Sequence, residues 1–191
     1  MTESFLILHG LENHRPPQHW QFQLAADLVR AGRHVHYPEL PRADAPELES
    51  WLATLSSELA NMTDGPRTVV CHSLACLLWF HAVRLGSVPS VDRLLLVSPP
   101  ASDRLPESVA SFRLEIFDAS AVRASATGEI AIVCSDADPY NPAGAQALYG
   151  DPLGVTATVV PGAVHITPDS GYGHWPFALH WCLPSDSDGG R

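Results

Sequence analysis

The chain has 191 residues, with 21 acidic side chains against 11 basic ones and a formal net charge of -10. That balance argues against nucleic acid and anionic membrane surfaces as partners, since both call for a basic patch, and every basic residue here is an arginine. The length suits one domain over residues 1–184, followed by a Ser/Asp/Gly-rich tail over 185–191 that is expected to be disordered; a domain of this size hides roughly 70% of the surface its unfolded chain exposes.

The N-terminus runs from Met1-Thr2-Glu3-Ser4 straight into an apolar segment, with no basic leader region and no cleavage pattern. No segment is long and apolar enough for a membrane span. A cytoplasmic protein is expected. Cys71, Cys76, Cys134 and Cys182 fall in strand or helix interiors, which suits buried free thiols in a reducing compartment.

Phe5-Leu6-Ile7-Leu8 is a strand-length apolar run ending at His9-Gly10, where glycine lets the chain turn sharply. Trp20, Leu24, Leu28 and Ala31 recur at helical spacing up to Gly32, predicting a helix over 20–31. A short strand follows over His34 to Tyr37. Leu48, Trp51, Leu52, Leu55, Leu59 and Met62 form a second helical stripe, ended by Asp64-Gly65-Pro66.

Thr68 to Cys71 predicts a buried strand, and Leu74 to Val83 is apolar on nearly every side, as an enclosed helix is. Arg93 to Val97, Ile130 to Val133 and Val155 to Val160 are the remaining predicted strands. Unbroken aliphatic strands alternating with helices indicate an α/β fold: a mostly parallel sheet of about six strands, covered by helices on both faces. The irregular stretch from Pro99 to Gly128 is expected to form a small cap, and no large lid is expected.

The sharpest chemical signal is Cys71-His72-Ser73-Leu74-Ala75, lying between a predicted strand and a predicted helix. A serine on a tight strand-to-helix turn is exposed as a nucleophile, provided the residues two before and two after it are small. Cys71 and Ala75 are small, although glycine is usual at both places. The Leu74 N–H would then open a helix N-terminus, and the Leu11 N–H, following His9-Gly10, is the second candidate donor to an oxyanion.

A nucleophilic serine needs a base and an orienting carboxylate, in the chain order Ser, Asp or Glu, His. Asp136 and Asp138 follow one predicted strand, and His165 follows the last. Asp138 is preferred because Pro139 and Pro142 stiffen its loop; Asp136 is the alternative. His174 is the alternative to His165. Strand C-termini are where open parallel sheets assemble their sites.

Taken together, His9-Gly10, His19-Trp20-Gln21, Ser50-Trp51, Cys71-His72-Ser73-Leu74-Ala75-Cys76, Asp138-Pro139-Tyr140, His165-Ile166 and Ser170-Gly171-Tyr172-Gly173-His174-Trp175-Pro176 resemble the small serine hydrolases of the retinoblastoma-binding protein 9 and YdeN family. The resemblance spans Leu8 to Pro176. It implies a minimal α/β-hydrolase fold and a triad of Ser73, Asp138 and His165; a small ester or amide is the expected substrate because only the stretch from Pro99 to Gly128 is available as a cap. No cofactor and no metal are implied. His9, Trp20, His72 and Trp175, within or beside these motifs, are the expected lining of a substrate pocket. The chain departs from the family where Val164, in place of the usual glycine, precedes the base.

Three other readings compete. One is a protein-binding module on an idle hydrolase scaffold; the strain at a serine elbow argues against keeping it unused. Another is a metal site drawn from His9, His14, His19, His34 and His36, whose spacing does not gather them on one face. A flavodoxin-like fold is the third, but Glu12 falls in its phosphate loop and no glycine cradle is present.

Overall fold

The computed structural model describes residues 2–62 and 65–184. The expected tail over 185–191 and Asp64 of the expected turn lie outside the described residues.

Six parallel strands form one sheet in the order β2-β1-β3-β4-β5-β6. They are β1 (Ser4–Leu8), β2 (His34–His36), β3 (Arg67–His72), β4 (Arg93–Val97), β5 (Ile130–Ser135) and β6 (Thr158–Val160). The helices are α1 (Trp20–Arg30), α2 (Leu48–Asn61), α3 (Leu74–Arg84), α4 (Ala119–Ala124), α5 (Asp151–Leu153) and α6 (Pro176–Cys182). No helix among the described residues is long and apolar enough to cross a membrane.

Successive strand residues point to opposite faces, and both faces are buried, which is why these strands read as continuous aliphatic runs. Leu6, Leu8, Val69, Cys71, Leu94 and Leu96 pack with Trp51, Leu55, Trp79 and Phe112 from α2, α3 and the cap. On the other face, Phe5, Ile7, Val70, Leu95 and Val97 pack with Trp20, Leu24, Leu28 and Ala178 from α1 and α6. Every residue of α3 from Leu74 to Val83 is buried, His81 included, as its nearly unbroken apolar composition predicts.

The cap over 99–128 consists of two 3₁₀ segments, Ser102–Arg104 and Glu107–Phe112, followed by α4. The main differences from the sequence reading lie after β5. The expected strand over 155–160 shortens to β6, because the Val155 N–H bonds to Gly150 O at 2.9 Å and the Ala157 N–H bonds to the Gln146 side chain at 2.7 Å. These bonds tie residues 155–157 to a helical segment, Gln146–Gly150 running into α5, that sequence periodicity does not reveal. Helix α6 escapes for the same reason: seven residues opened by a proline carry too little pattern.

Candidate active site

Strand β1 lies between β2 and β3, so the chain order reverses there and a crevice opens beyond the strand C-termini. Leu8 pairs with Cys71 at the ends of the two strands. Just past that pair, Gly10 and Ser73 meet so closely that a Cβ on Gly10 would fall 2.8 Å from Ser73 Cβ. Only glycine permits the approach.

Ser73 adopts φ 57° and ψ -125°, a conformation costly to any residue with a Cβ. Two backbone bonds hold it: its N–H donates to Val97 O at 2.9 Å, and its carbonyl accepts from the Cys76 N–H at 2.9 Å. The neighbours Cys71 and Ala75 are fully buried, so the small side chains in place of the usual glycines fit the tight junction of β3 with α3.

Ser73 Oγ lies 2.7 Å from His165 Nε2, and His165 Nδ1 lies 2.8 Å from Asp138 Oδ2. With Asp138 ionised, its carboxylate can only accept, so His165 Nδ1 carries the proton and Nε2 is left to accept from the serine hydroxyl. Asp138 is 3% exposed, and its other oxygen accepts from the Tyr140 N–H at 2.9 Å. Such a chain of groups can draw a proton from a hydroxyl as it attacks. Asp136 points elsewhere, accepting from the Gly162 N–H at 2.7 Å, and His174 is exposed.

The turn that carries His165 is unusual in having two left-handed residues that are not glycine, Val164 at φ 51° and Ile166 at φ 52°. The departure at Val164 therefore keeps the left-handed backbone that glycine would adopt freely, with strain of roughly 1–2 kcal/mol. Two buried side chains brace the turn. His72 Nε2–H donates to His165 O at 3.0 Å, and Trp20 Nε1–H donates to Ile166 O at 3.0 Å. The Tyr140 ring packs edge-on against the His165 imidazole, with centroids 4.6 Å apart.

Burial lowers the basicity of the histidines behind the site. His9 and His19 are each pushed down to about 4, and His72 is driven well below the ordinary histidine range, further lowered by His165 and His19 nearby. A neutral His72 accounts for its single donated hydrogen bond.

No described hydrogen bond uses the backbone N–H of Leu11 or of Leu74. Leu74 is the first residue of α3, where amides have no partner within the helix. Leu11 follows Gly10 and Leu74 follows Ser73, so the two N–H groups expected from the sequence flank the Gly10–Ser73 contact.

Two cavities adjoin Ser73. One, of about 90 Å³, is lined by Leu11, Leu74, Leu105, Pro106 and Val109, with Glu12 at its border. The other, of about 500 Å³, includes His19, His72, Thr167 and Asp169 in its lining. Of the expected pocket residues, His72 is there, while His9, Trp20 and Trp175 line neither cavity. His9 is fully buried, donating from Nδ1 to Gly10 O at 2.9 Å and accepting at Nε2 from the Leu40 N–H at 2.8 Å. Trp20 braces the turn that carries His165, and Trp175 packs against Trp20 with centroids 5.1 Å apart. All three are framework residues. Leu105, Val109 and Asp169, absent from the sequence reading, take their place, together with Glu12, which that reading weighed only against a phosphate loop. Of the histidines weighed as metal ligands, His14 bonds to Asp44 at 2.8 Å and His36 to Glu58 at 2.9 Å. The four cysteines are free and buried.

Comparison with known proteins follows the same line. The ydeN gene product of B. subtilis superposes with a TM-score of 0.79 at 22% identity, over 95% of this chain and 97% of that one. A protein described as a YdeN-like hydrolase, from Pectobacterium atrosepticum, gives 0.73 at 20% identity over 94% and 88%. The esterase domain of a Rhodothermus marinus protein gives 0.66 at 14% identity over 93% and 84%. No curated protein matches the sequence. At these identities the structures share a fold, the α/β-hydrolase fold. The serine hydrolase family model matches residues 5–181, nearly the whole chain, and the protein belongs to that family.

Proposed function

We propose that the protein hydrolyses small esters through an acyl-enzyme on Ser73, with His165 as general base and Asp138 as the group that orients it. The observation that carries this reading is the unbroken Ser73–His165–Asp138 hydrogen-bond chain, with links of 2.7 and 2.8 Å.

Ser73 Oγ attacks the acyl carbon while its proton passes to His165 Nε2, and the carbonyl oxygen becomes an oxyanion. The N–H groups of Leu11 and Leu74 are the donors that receive it. Asp138 keeps the imidazole in the tautomer that leaves Nε2 free and stabilises the imidazolium once formed. The tetrahedral adduct collapses with loss of the alcohol, which takes the proton from His165. Water, deprotonated in turn by His165, then attacks the acyl-enzyme, releasing the acid and restoring Ser73.

The cavity of about 90 Å³ beside Leu74, Leu105 and Val109 is mostly apolar and small, which favours short acyl chains. Initial rates on chromogenic esters of increasing chain length test the reading. Activity that peaks at short acyl chains and is absent in Ser73→Ala is expected. Rates that climb steadily into long chains would contradict the acyl pocket, and full activity in Ser73→Ala would contradict the nucleophile.

A further inference from the structure

In ester cleavage His165 Nε2 must deliver a proton to the departing atom, so the departing group lies along the wall that carries the base. The larger cavity forms that wall, since Val164, Thr167, Pro168 and Asp169 from the base turn and the residues after it all line it. His165, Tyr140 and Glu12 border both cavities, but none of these four lines the small, mostly apolar one, which leaves that one to the acyl chain.

The chemistry of the larger cleft is one-sided. Its acidic lining residues are Asp169, which borders this cleft alone, and Glu12, which stands between the two cavities and borders both; both are exposed, and no arginine lines the cleft. Neither carboxylate has an ion-pair partner among the described residues. The basic side chains that follow Glu12 in sequence bind elsewhere: Arg15 donates to Tyr37 O at 2.7 Å and contacts Glu39 at 3.3 Å, and His14 lies against Asp44 at 2.8 Å.

His72 adds a second, separate feature. It lines the same cleft, is 3% exposed, and has Nε2–H committed to His165 O, so its Nδ1 is a buried lone pair with no partner among the described residues. His19 offers the opposite polarity from its Nε2–H, because its Nδ1 accepts from the Gln21 N–H at 3.2 Å. One neutral donor does not offset two carboxylates and an unpartnered lone pair.

We propose that this cleft selects leaving groups bearing a positively charged nitrogen, so that the substrates are short-chain acyl esters or amides of amino alcohols or diamines. The proposal rests on Ser73 acting as the nucleophile. Glu12 and Asp169 hold the charged nitrogen, which takes no part in bond making. The acyl C–O or C–N bond breaks, one water is consumed, and the products are a short-chain acid and a cationic alcohol or amine. An anionic leaving group meets repulsion from the same two side chains.

The test compares kcat/KM for butyrate esters of choline and of its neutral isostere, 3,3-dimethylbutan-1-ol, in wild type, Glu12→Gln, Asp169→Asn and the double variant. Each exposed ion pair is worth only a few-fold in affinity, so a preference for the choline ester of roughly threefold to tenfold is expected at low ionic strength, shrinking at high salt. The ratio should fall toward one in the double variant. Equal rates for the two esters in wild type would overturn the proposal. So would a preference that survives intact in the double variant, since it would then belong to the net charge of the whole protein. Failure of the folded protein to cleave either ester removes the Ser73 reading itself; cleavage of both without preference removes the charge selection alone.

Discussion

His72, the residue immediately before Ser73, donates from Nε2 to the main-chain carbonyl of His165 at 3.0 Å. The strand that presents the serine thereby also grips the turn that presents the imidazole. Because Val164 and Ile166 on either side are left-handed, the turn does not hold its shape from local preference. His72→Phe keeps an aromatic ring of comparable bulk and removes the bond. A fall in kcat of about 10- to 100-fold is expected, since misplacement by about 1 Å is enough for such a loss. Steady-state kinetics with thermal unfolding alongside decide it; unchanged kcat in a folded variant would show that the bond does not position the base.

Gly10→Ala places a methyl group 2.8 Å from Ser73 Cβ. Neither atom lies at the end of a flexible side chain, so the loop after β1 must retreat, taking the Leu11 N–H with it. Loss of about 100-fold or more in kcat is expected from a protein that still folds. A variant with wild-type turnover would place the oxyanion elsewhere.

Asp138→Asn should preserve the fold while favouring the wrong imidazole tautomer, lowering turnover on the order of 10⁴-fold at neutral pH. Asp136→Asn should have a far smaller effect, because Asp136 contacts the Gly162 N–H and not the histidine. Single-turnover acylation of both variants separates them; the reverse pattern would exchange their roles.

Most of this was legible in the chain and some was not, for identifiable reasons. Continuous aliphatic runs such as Leu94-Leu95-Leu96 announce strands buried on both faces, and Ser73 is conspicuous because its neighbours change from strand to helix pattern around it. The choice between Asp136 and Asp138 is different in kind: two residues apart on one loop, they differ only in which way the backbone turns them. Buried polar residues mislead in the same way. His9 and Trp20 read like pocket residues because polar atoms sit beside functional motifs, yet their hydrogen bonds go to Gly10, Leu40 and Ile166. Leu105 and Val109 reach the site from an irregular cap with no periodic signature.

The buried histidines make stability depend on pH. His9 and His19, neutral in the fold with values pushed down to about 4, take up protons near pH 6.5 once unfolded. Between those values the unfolded state binds more protons, so stability is fully present above about pH 6.5 and is lost as pH falls toward about 4, by roughly 3 kcal/mol for each residue. His72 acts in the same direction. Thermal unfolding measured from pH 7.5 to 4.5 should show a steep fall in Tm on the acid side; a flat profile would mean these histidines are solvated.

The most direct measurement of the central claim is labelling with a fluorophosphonate, which requires nucleophile, base and oxyanion donors to act together. Intact-mass analysis and peptide mapping should show one adduct per chain, on Ser73, absent in Ser73→Ala and strongly slowed in His165→Ala. A folded wild-type protein that takes up no label, or an adduct that persists in Ser73→Ala, would contradict the account.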